Sequence, residues 1–221
     1  TRMQAAHDAA AALAKELLTA ENANLSPDQQ TRISVVTFGN KADLKQGYST
    51  NAEDISNAVP TKAKYFKGTN WEAGLILANE QLGNRANAEK HVIFLSDGNP
   101  TLRMSAEGYG ESSIELHPAD GKNPDGTYGT YVNDPKGRNL SAATKVAKAR
   151  PASSMYVVNI SKSAEKMGTF AEKTGGSLLD GTTENNLAAA FSQIGQVVRK
   201  SVSYQDVALT DQLSSWVEFV S

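Results

Sequence analysis

The feature that most constrains the fold is an apolar run at residues 91–96, which stops abruptly at Asp97, Gly98 and Pro100. A short run with apolar residues at consecutive positions is typical of a parallel strand covered on both faces. Open α/β sheets bind their ligands at the carboxyl ends of such strands. The sequence therefore predicts that Asp97 lies at a ligand-binding edge, although Ser-Asp-Gly after an apolar run is equally compatible with a plain turn.

Around this run, helical and extended patterns alternate along the chain. β-branched, apolar runs predict strands at 32–38, 91–96 and 154–160, with 42–48 as a hairpin partner of the first. Apolar residues at helical spacing predict helices at 3–19, 51–60, 70–82, 139–149, 164–173 and 183–200, the last preceded by a short strand. This order predicts an open, mostly parallel, doubly wound α/β sheet with helices on both faces over residues 1–200.

Two segments break this alternation. Residues 101–137 are rich in Gly, Pro, Asp, Asn and Tyr, and an insertion of this length in a compact domain is usually functional or mobile. Because it follows Asp97 directly, we expect it near the ligand-binding edge. Its Tyr109, Tyr128 and Tyr131 either contact a partner, since aromatic residues favour interfaces, or pin the insertion to the domain. Residues 201–221 change to a period-2 pattern and predict the start of an adjoining all-β module.

The composition excludes several kinds of site. The chain has no cysteine, which rules out disulfides, thiol nucleophiles and cysteine-zinc sites. Its 3 histidines never occur as His-x-x-x-His, which argues against a zinc hydrolase. A formal charge of −2 without a basic block argues against nucleic acid and anionic membranes as partners. No apolar run approaches the ~20 residues that a membrane span needs.

A second polar segment, Gly68-Thr69-Asn70, stands directly before a predicted helix. A threonine hydroxyl on a loop and the Asp97 carboxylate after a strand are oxygen ligands that suit a hard divalent cation such as Mg²⁺. Each residue also has an ordinary structural interpretation. Thr69 can cap the helix that opens at Asn70, and Asp97 can serve as a helix cap or turn residue.

These residues resemble the von Willebrand factor type A family. Residues 32–38 with Gly39 resemble its second strand, Gly68-Thr69-Asn70 its threonine loop, and residues 95–100 its aspartate loop. The resemblance covers about residues 1–200. It implies a metal-ion-dependent adhesion site in which Thr69 supplies a hydroxyl and Asp97 a carboxylate, often through water. Such a site holds Mg²⁺, Mn²⁺ or Ca²⁺ and leaves one position open for an acidic group of a partner. Asn70 and Asn99 are candidate ligand contacts beside it, although Asn99, like Ser96, is better explained as a loop-forming residue.

The sequence departs from the family pattern in one respect. The family carries an Asp-x-Ser-x-Ser motif after its first, central strand, immediately before the helix that here starts at residues 1–3. The resemblance therefore implies that residues 1–221 lack that motif and that strand. Thr69 and Asp97 alone are too few ligands for Mg²⁺, so we expect weak metal binding by this chain and open strand edges in its sheet.

Residues 207–219 resemble the strand that follows the A domain in tip adhesins of sortase-assembled Gram-positive pili. In those proteins the neighbouring modules are immunoglobulin-like and often carry Lys–Asn isopeptide crosslinks, which agrees with the missing cysteines. The resemblance implies an extracellular adhesin, anchored to the cell wall or at a pilus tip. Its partners would be a host or extracellular-matrix protein and, through adjoining domains, the pilus backbone subunits.

Two other classes of function remain open at this point. A nucleotide-binding or enzymatic doubly wound domain needs a Gly-rich phosphate loop, and neither Gly-x-x-x-x-Gly-Lys-Ser/Thr nor Gly-x-Gly-x-x-Gly is present. No nucleophile–base pair or Gly-x-Ser-x-Gly is visible either, so we expect no enzymatic activity. An intracellular A-domain assembly factor is the other alternative, and the β pattern after Ser201 argues against it.

Overall fold

The computed structural model describes residues 1–62, 68–83, 88–104, 117–118 and 137–203. In chain order its elements are α1 (Arg2–Leu17), α2 (Ala20–Ala23), β1 (Ile33–Phe38), β2 (Ala42–Ser49), α3 (Ala52–Ala58), α4 (Trp71–Gly83), β3 (His91–Ser96), β4 (Leu102–Arg103), β5 (His117–Pro118), α5 (Arg138–Lys148), β6 (Ser154–Asn159), α6 (Lys166–Thr174), β7 (Ser177–Asp180) and α7 (Glu184–Ser203). The predicted alternation of strands and helices is confirmed.

The strands form a parallel unit and a separate hairpin. β3, β6 and β7 lie side by side in parallel, with His91 opposite Ser154 and Tyr156 opposite Ser177. β1 and β2 pair antiparallel, with Phe38 opposite Ala42, so the predicted hairpin is also confirmed. The consecutive apolar residues of β3 and β6 need cover on both faces, and helices provide it.

The helices pack in two layers, one on each face of the strands. On one face α1 and α7 bury a shared apolar stripe against β6. In α7 this stripe follows helical spacing, with Leu187, Phe191, Ile194 and Val198 all buried. On the other face α4, α5 and α6 pack around Trp71, which is fully buried as its apolar position predicted. The fold class is therefore the predicted doubly wound α/β architecture.

Four aromatic rings hold the second layer together near the carboxyl ends of the strands. Phe38 of β1 stacks on Phe94 of β3 with ring centroids 5.5 Å apart. Trp71 meets Phe94 edge-on at 5.3 Å, and Phe170 lies 5.1 Å from both rings. Helix α4 approaches β1 this closely because Gly74 has no side chain, since a Cβ there would lie 2.7 Å from the Phe38 ring. The aromatic cluster thus fixes the start of α4 against both strands.

A gap separates β1 from β3. Within the described ranges, β1 pairs only with β2, and β3 pairs only with β6. A cavity of about 350 Å³ opens between the two facing edges, lined by Val36 and Phe38 on one side and by Ile93 and Leu95 on the other. This gap agrees with the expectation that a central strand is missing from residues 1–221.

Some predictions fall outside the described residues. The tail predicted to begin an all-β module covers residues 201–221. Its first three residues, 201–203, belong instead to α7, and residues 204–221 lie outside the described residues, as does most of the insertion with Tyr109, Tyr128 and Tyr131. The predicted adjoining module and the predicted tyrosine contacts therefore stay predictions. None of the helices in the described part of the chain combines the length and apolar character that crossing a bilayer requires.

Candidate metal-ion site

Thr69 and Asp97 are brought to the same edge of the fold by the ends of two elements. Thr69 lies just before α4, and Asp97 follows β3 directly. The Thr69 carbonyl accepts hydrogen bonds from the backbone N–H groups of Thr101 (2.9 Å) and Leu102 (3.2 Å). The Thr69 N–H donates in turn to Thr101 Oγ1 at 2.9 Å. A Cβ placed on Gly98 would lie 3.9 Å from Thr69 Oγ1, so the threonine hydroxyl faces the residue next to Asp97.

The side chains of Thr69 and Asp97 have no bonding partner among the described residues. Thr69 is partly buried and Asp97 is exposed. Within the described ranges, the Thr69 hydroxyl and the Asp97 carboxylate make no hydrogen bond or ion pair. The helix-capping interpretation of Thr69 is wrong, because the Asn70 side chain caps α4 by accepting from the Ala73 N–H at 3.0 Å. The Thr69 hydroxyl is thereby left available as a ligand.

The prediction that Asn70 contacts a ligand is corrected by its burial. Its side chain is 0% exposed. Besides capping α4, Asn70 donates from Nδ2 to the Asn40 carbonyl at 3.3 Å, and its N–H donates to the Gly39 carbonyl at 2.8 Å. Asn70 therefore joins the threonine loop to the end of β1 and has no surface left for a partner.

A polar network after β6 supports the aspartate loop, and the sequence analysis missed it. Ser163 Oγ donates to the Asp97 carbonyl at 3.3 Å and lies 2.7 Å from Ser161 Oγ. Asn99 Oδ1 accepts from the Lys166 N–H at 2.8 Å and so caps α6 from a distant loop. The sequence signal for it is a cluster of polar residues, Ser161 to Ser163, that follows a buried strand. Asn99 has a structural role here, and its predicted ligand contact stays a prediction.

The insertion is anchored beside Thr69 at both of its ends. At the first end, the Met104 N–H donates to Glu72 Oε2 at 2.7 Å. Arg103, at the start of the insertion, donates a hydrogen bond to Oδ1 of Asn139, just after its end, at 2.9 Å. Burial raises the pKa of Glu72, although the Met104 N–H and the positive charges of Arg103 and Lys145 oppose this. The described residues that flank the insertion, Met104 before it and Asn139 after it, are thereby held in place by Glu72 and Arg103.

The described donors fit a hard divalent cation as part of a larger set. A hydroxyl and a carboxylate oxygen are the donor types that Mg²⁺ prefers, and Mg²⁺ commonly keeps several waters. No group of three or more His, Cys, Asp or Glu side chains converges anywhere in the described part of the chain. Thr69 and Asp97 can therefore hold a cation only together with water and further oxygen ligands.

Comparison with known proteins relates the first part of the chain to a known family. Residues 1–99 match the family model of the von Willebrand factor type A domain. No curated protein sequence is detectably similar to the chain.

The fold of this chain is also similar to that of several solved structures. The von Willebrand domain of the type V pili tip protein Mfa5 from Porphyromonas gingivalis superposes with a TM-score of 0.67 at 12% identity, covering 93% of this chain and 91% of that one. The D319A mutant of the PilB minor pilin from Streptococcus sanguinis gives 0.69 at 17% identity, with coverages of 94% and 57%. The pilus adhesin SpaC from Lactobacillus rhamnosus GG gives 0.59 at 15% identity, with coverages of 90% and 28%.

The chain thus spans little more than half of the PilB structure and a smaller part of SpaC. At these identities the structural likeness concerns the fold alone. Residues 1–99 are thus similar in sequence to the von Willebrand factor type A family, and the fold of the described residues is similar to that of the von Willebrand domain of Mfa5.

Proposed function

We propose that this domain is an extracellular adhesion module that binds a host or matrix protein through a divalent cation held in part by Thr69 and Asp97. The observation that carries the proposal is the pairing of an available hydroxyl with an available carboxylate at the carboxyl edge of the strands. Similar folds in a pili tip protein, a minor pilin and a pilus adhesin support a place on a pilus or the cell wall.

The cation would act as an electrostatic anchor rather than as a reagent. A bound Mg²⁺ or Mn²⁺ would attract a carboxylate of the partner, and the partial shielding of Thr69 from water would strengthen that attraction. The chain's own contribution is to hold the two oxygen donors in place through the bonds of Thr101, Asn70 and Ser163. No chemical step follows binding.

The anchored insertion supports a role in choosing the partner. The described residues on either side of the insertion, Met104 and Asn139, are held by Glu72 and by the Arg103–Asn139 hydrogen bond. A partner whose carboxylate reaches the cation would approach the domain next to this segment. Loops carried by a rigid scaffold are the usual place for specificity.

The test uses the intact protein that carries this domain. Beads coated with it are applied to immobilised extracellular-matrix proteins in Mg²⁺, in Mn²⁺ and in EDTA. We expect adhesion that EDTA abolishes and that added Mg²⁺ restores. Adhesion of equal strength in EDTA contradicts the proposal.

Calorimetric titration of residues 1–221 with MgCl₂ tests the ligand count separately. We expect weak binding, because two protein donors leave most of the coordination to water. Tight binding by this chain would mean that further ligands lie within it.

An enzyme or nucleotide-binding domain is the alternative of a different class. It requires a phosphate-binding loop, and no such motif occurs in the sequence. Binding of ATP or NAD to the chain, measured by the same titration, would favour this alternative. An intracellular assembly factor, the third alternative, would be favoured by finding the protein inside the cell.

A further inference from the structure

The outer edge of β2 has no strand beside it in the described part of the chain. β2 pairs with β1 on one side, and none of the other described strands pairs with it. Such an edge presents a row of backbone N–H and C=O groups that another strand can bond. β2 has 8 residues and contains no proline, so every residue of this edge keeps its backbone donor. The outer edge of β2 is therefore able to accept a further strand.

The first half of β2 extends beyond the helices that cover the hairpin. Helix α3 packs through Ile55 against Ile33 and Val35 of β1. These two residues lie opposite the second half of β2, residues 46–49. Residues 43–45, in the first half, are exposed at three consecutive positions. Because successive side chains of a strand point to opposite faces, this exposure means that neither face is covered, which leaves room for a strand alongside.

The three exposed residues combine two opposite charges with one apolar side chain. Asp43 and Lys45 lie on the same face of the strand, where Lys45 Nζ is 3.1 Å from Asp43 Oδ2. Leu44 stands between them in sequence, points to the other face and is 42% exposed. A single exposed leucine is ordinary on a protein surface. The charges on either side of Leu44 are what give this edge a preferred partner.

The order Asp43-Leu44-Lys45 is complementary to itself in the antiparallel direction. When two copies pair with their Leu44 residues opposite each other, Asp43 of each copy stands opposite Lys45 of the other. Opposite charges at such positions stabilise a pair of strands, and like charges destabilise it. A register centred on Asp43 or on Lys45 places two like charges opposite each other. The charges therefore select the register centred on Leu44.

We propose that the outer edge of β2 binds a second copy of this chain by antiparallel pairing of residues 42–46, centred on Leu44. The interface is isologous, because the same surface of each copy forms it. A strand pair of this length buries far less than the roughly 800 Å² per partner of a stable complex, so pairing between free chains is weak. It becomes effective where many copies are held close together, since their local concentration is then high.

Antiparallel pairing turns the two copies in opposite directions. The end of β1 and the start of β2 lie beside the threonine loop, because the Asn70 N–H donates to the Gly39 carbonyl. In the pair, the edge that carries Thr69 and Asp97 therefore faces one way in one copy and the opposite way in the other. Two copies held on different surfaces could join those surfaces. This consequence rests on the proposed function, whereas the pairing itself does not and needs no cation.

Disulfide trapping tests the register, because the chain has no cysteine of its own. Leu44→Cys in the full chain places two thiols directly opposite each other, with Cα atoms about 5 Å apart, which suits a disulfide. Lys41→Cys is the matched control. It is also exposed, but in this register its two copies lie six residues apart, about 20 Å. In a glutathione redox buffer with EDTA, we expect Leu44→Cys to form the covalent dimer at least about tenfold faster on non-reducing gels. Equal rates overturn the proposal.

Charge variants in the Leu44→Cys background test the complementarity. Lys45→Asp places like charges opposite each other and should slow trapping about tenfold, which corresponds to ~1.4 kcal/mol. Adding Asp43→Lys exchanges the two charges and should restore the rate. All three positions are exposed, so the fold should be unchanged, which circular dichroism checks.

Trapping at the same rate in all these variants reports random collision and overturns the proposal, as does slow trapping in the charge-exchanged variant. Absence of a covalent dimer in Leu44→Cys also overturns it and leaves the edge to a strand of another protein. Because every arm contains EDTA and measures no adhesion, failure here is distinct from failure of the cation-dependent function.

Discussion

The indole N–H of Trp71 donates a 3.0 Å hydrogen bond to Ser96 Oγ in the core. Trp71 stands two positions after Thr69, and Ser96 stands directly before Asp97. Ser96 Oγ donates in turn to the Gly98 carbonyl at 2.8 Å, which shapes the aspartate loop. One buried hydrogen bond therefore couples the positions of the two candidate metal ligands, although neither of its partners is itself a candidate ligand.

Replacing Trp71 by Phe should weaken metal-dependent adhesion without removing a ligand. The variant loses the bond to Ser96 and leaves a cavity, so unfolding in urea should show a loss of about 2 kcal/mol. Phe170→Leu is the matched control, because Phe170 packs on the same indole ring but its side chain has no group that can hydrogen-bond to Ser96. Equal loss of adhesion in both variants would mean that general stability, not loop position, controls the site.

Asp97→Ala should abolish metal-dependent adhesion of the intact protein while leaving the fold unchanged. The side chain is exposed, so its removal should alter the free energy of unfolding by less than about 0.5 kcal/mol. Glu80→Ala on the exposed side of α4 removes the same charge away from this edge and should adhere normally. Adhesion of coated beads in Mg²⁺ is measured for both variants. Undiminished adhesion by the Asp97 variant would contradict the role of Asp97 as a metal ligand.

Two substitutions at Thr69 test the role of its hydroxyl separately from that of its branched shape. Thr69→Ser keeps the oxygen donor and should keep most of the Mg²⁺-dependent adhesion. Thr69→Val preserves the branched shape and removes the donor, so adhesion should fall at least about tenfold, which corresponds to ~1.4 kcal/mol. Because the backbone of Thr69 makes the bonds to Thr101, both variants should unfold at a similar urea concentration. Equal adhesion by the two variants contradicts a ligand role for the hydroxyl.

Asn99 should matter for stability through its bond to the start of α6. Asn99→Ala removes the acceptor of the Lys166 N–H and should destabilise the fold by about 1 kcal/mol. Asn99→Asp keeps an acceptor and adds a negative charge at a helix N-terminus, so its stability should equal or exceed that of the wild type. Thermal unfolding measures both. A destabilised Asp variant would show that the amide nitrogen, not the oxygen, is the important group.

Acid should destabilise the fold partly through His91. Burial lowers the pKa of His91, and the carboxylate of Glu89 opposes the shift. The folded state therefore favours neutral His91. The contribution of His91 to the free energy of unfolding is present above the ordinary histidine pKa of about 6.5, and it is lost as the pH falls below that value. His91→Gln should flatten the decline in unfolding free energy between pH 7 and 5 that urea titrations measure.

Glu89→Gln provides the opposite control for this prediction. Removing the carboxylate takes away the interaction that favours protonated His91 in the folded state, so the acid-induced loss of stability should become steeper. A flatter profile in this variant would contradict the assignment of the acid sensitivity to His91.

Local sequence patterns predicted most of the helices and strands correctly. They could not predict the different roles of Thr69 and Asn70. Both residue types cap helices well, so the sequence could not decide which of them starts α4. The choice is made by the end of β1, where Gly39 and Asn40 accept hydrogen bonds from Asn70. Those contacts bury Asn70 and turn a predicted ligand contact into a structural residue.

The hydrogen bonds that support the aspartate loop could not be predicted from the sequence for a related reason. Ser163 is 66 positions from Asp97, and Lys166 is 67 positions from Asn99. No periodicity connects such pairs, because they meet only after β3 and β6 have paired in register. The sequence shows that polar residues follow both strands, but it does not show which of them bond each other.

The amino-acid sequence by itself determined the order of helices and strands, the α/β class and the placement of Thr69 and Asp97 at the ends of elements, because each follows from the spacing of residues close along the chain. Only the tertiary structure decided that the Thr69 hydroxyl has no hydrogen-bond partner among the described residues, that Asn70 is buried and that β1 and β3 face each other across a gap. These properties depend on how distant segments pack and pair, and burial and hydrogen bonding between them are settled by the whole fold at once.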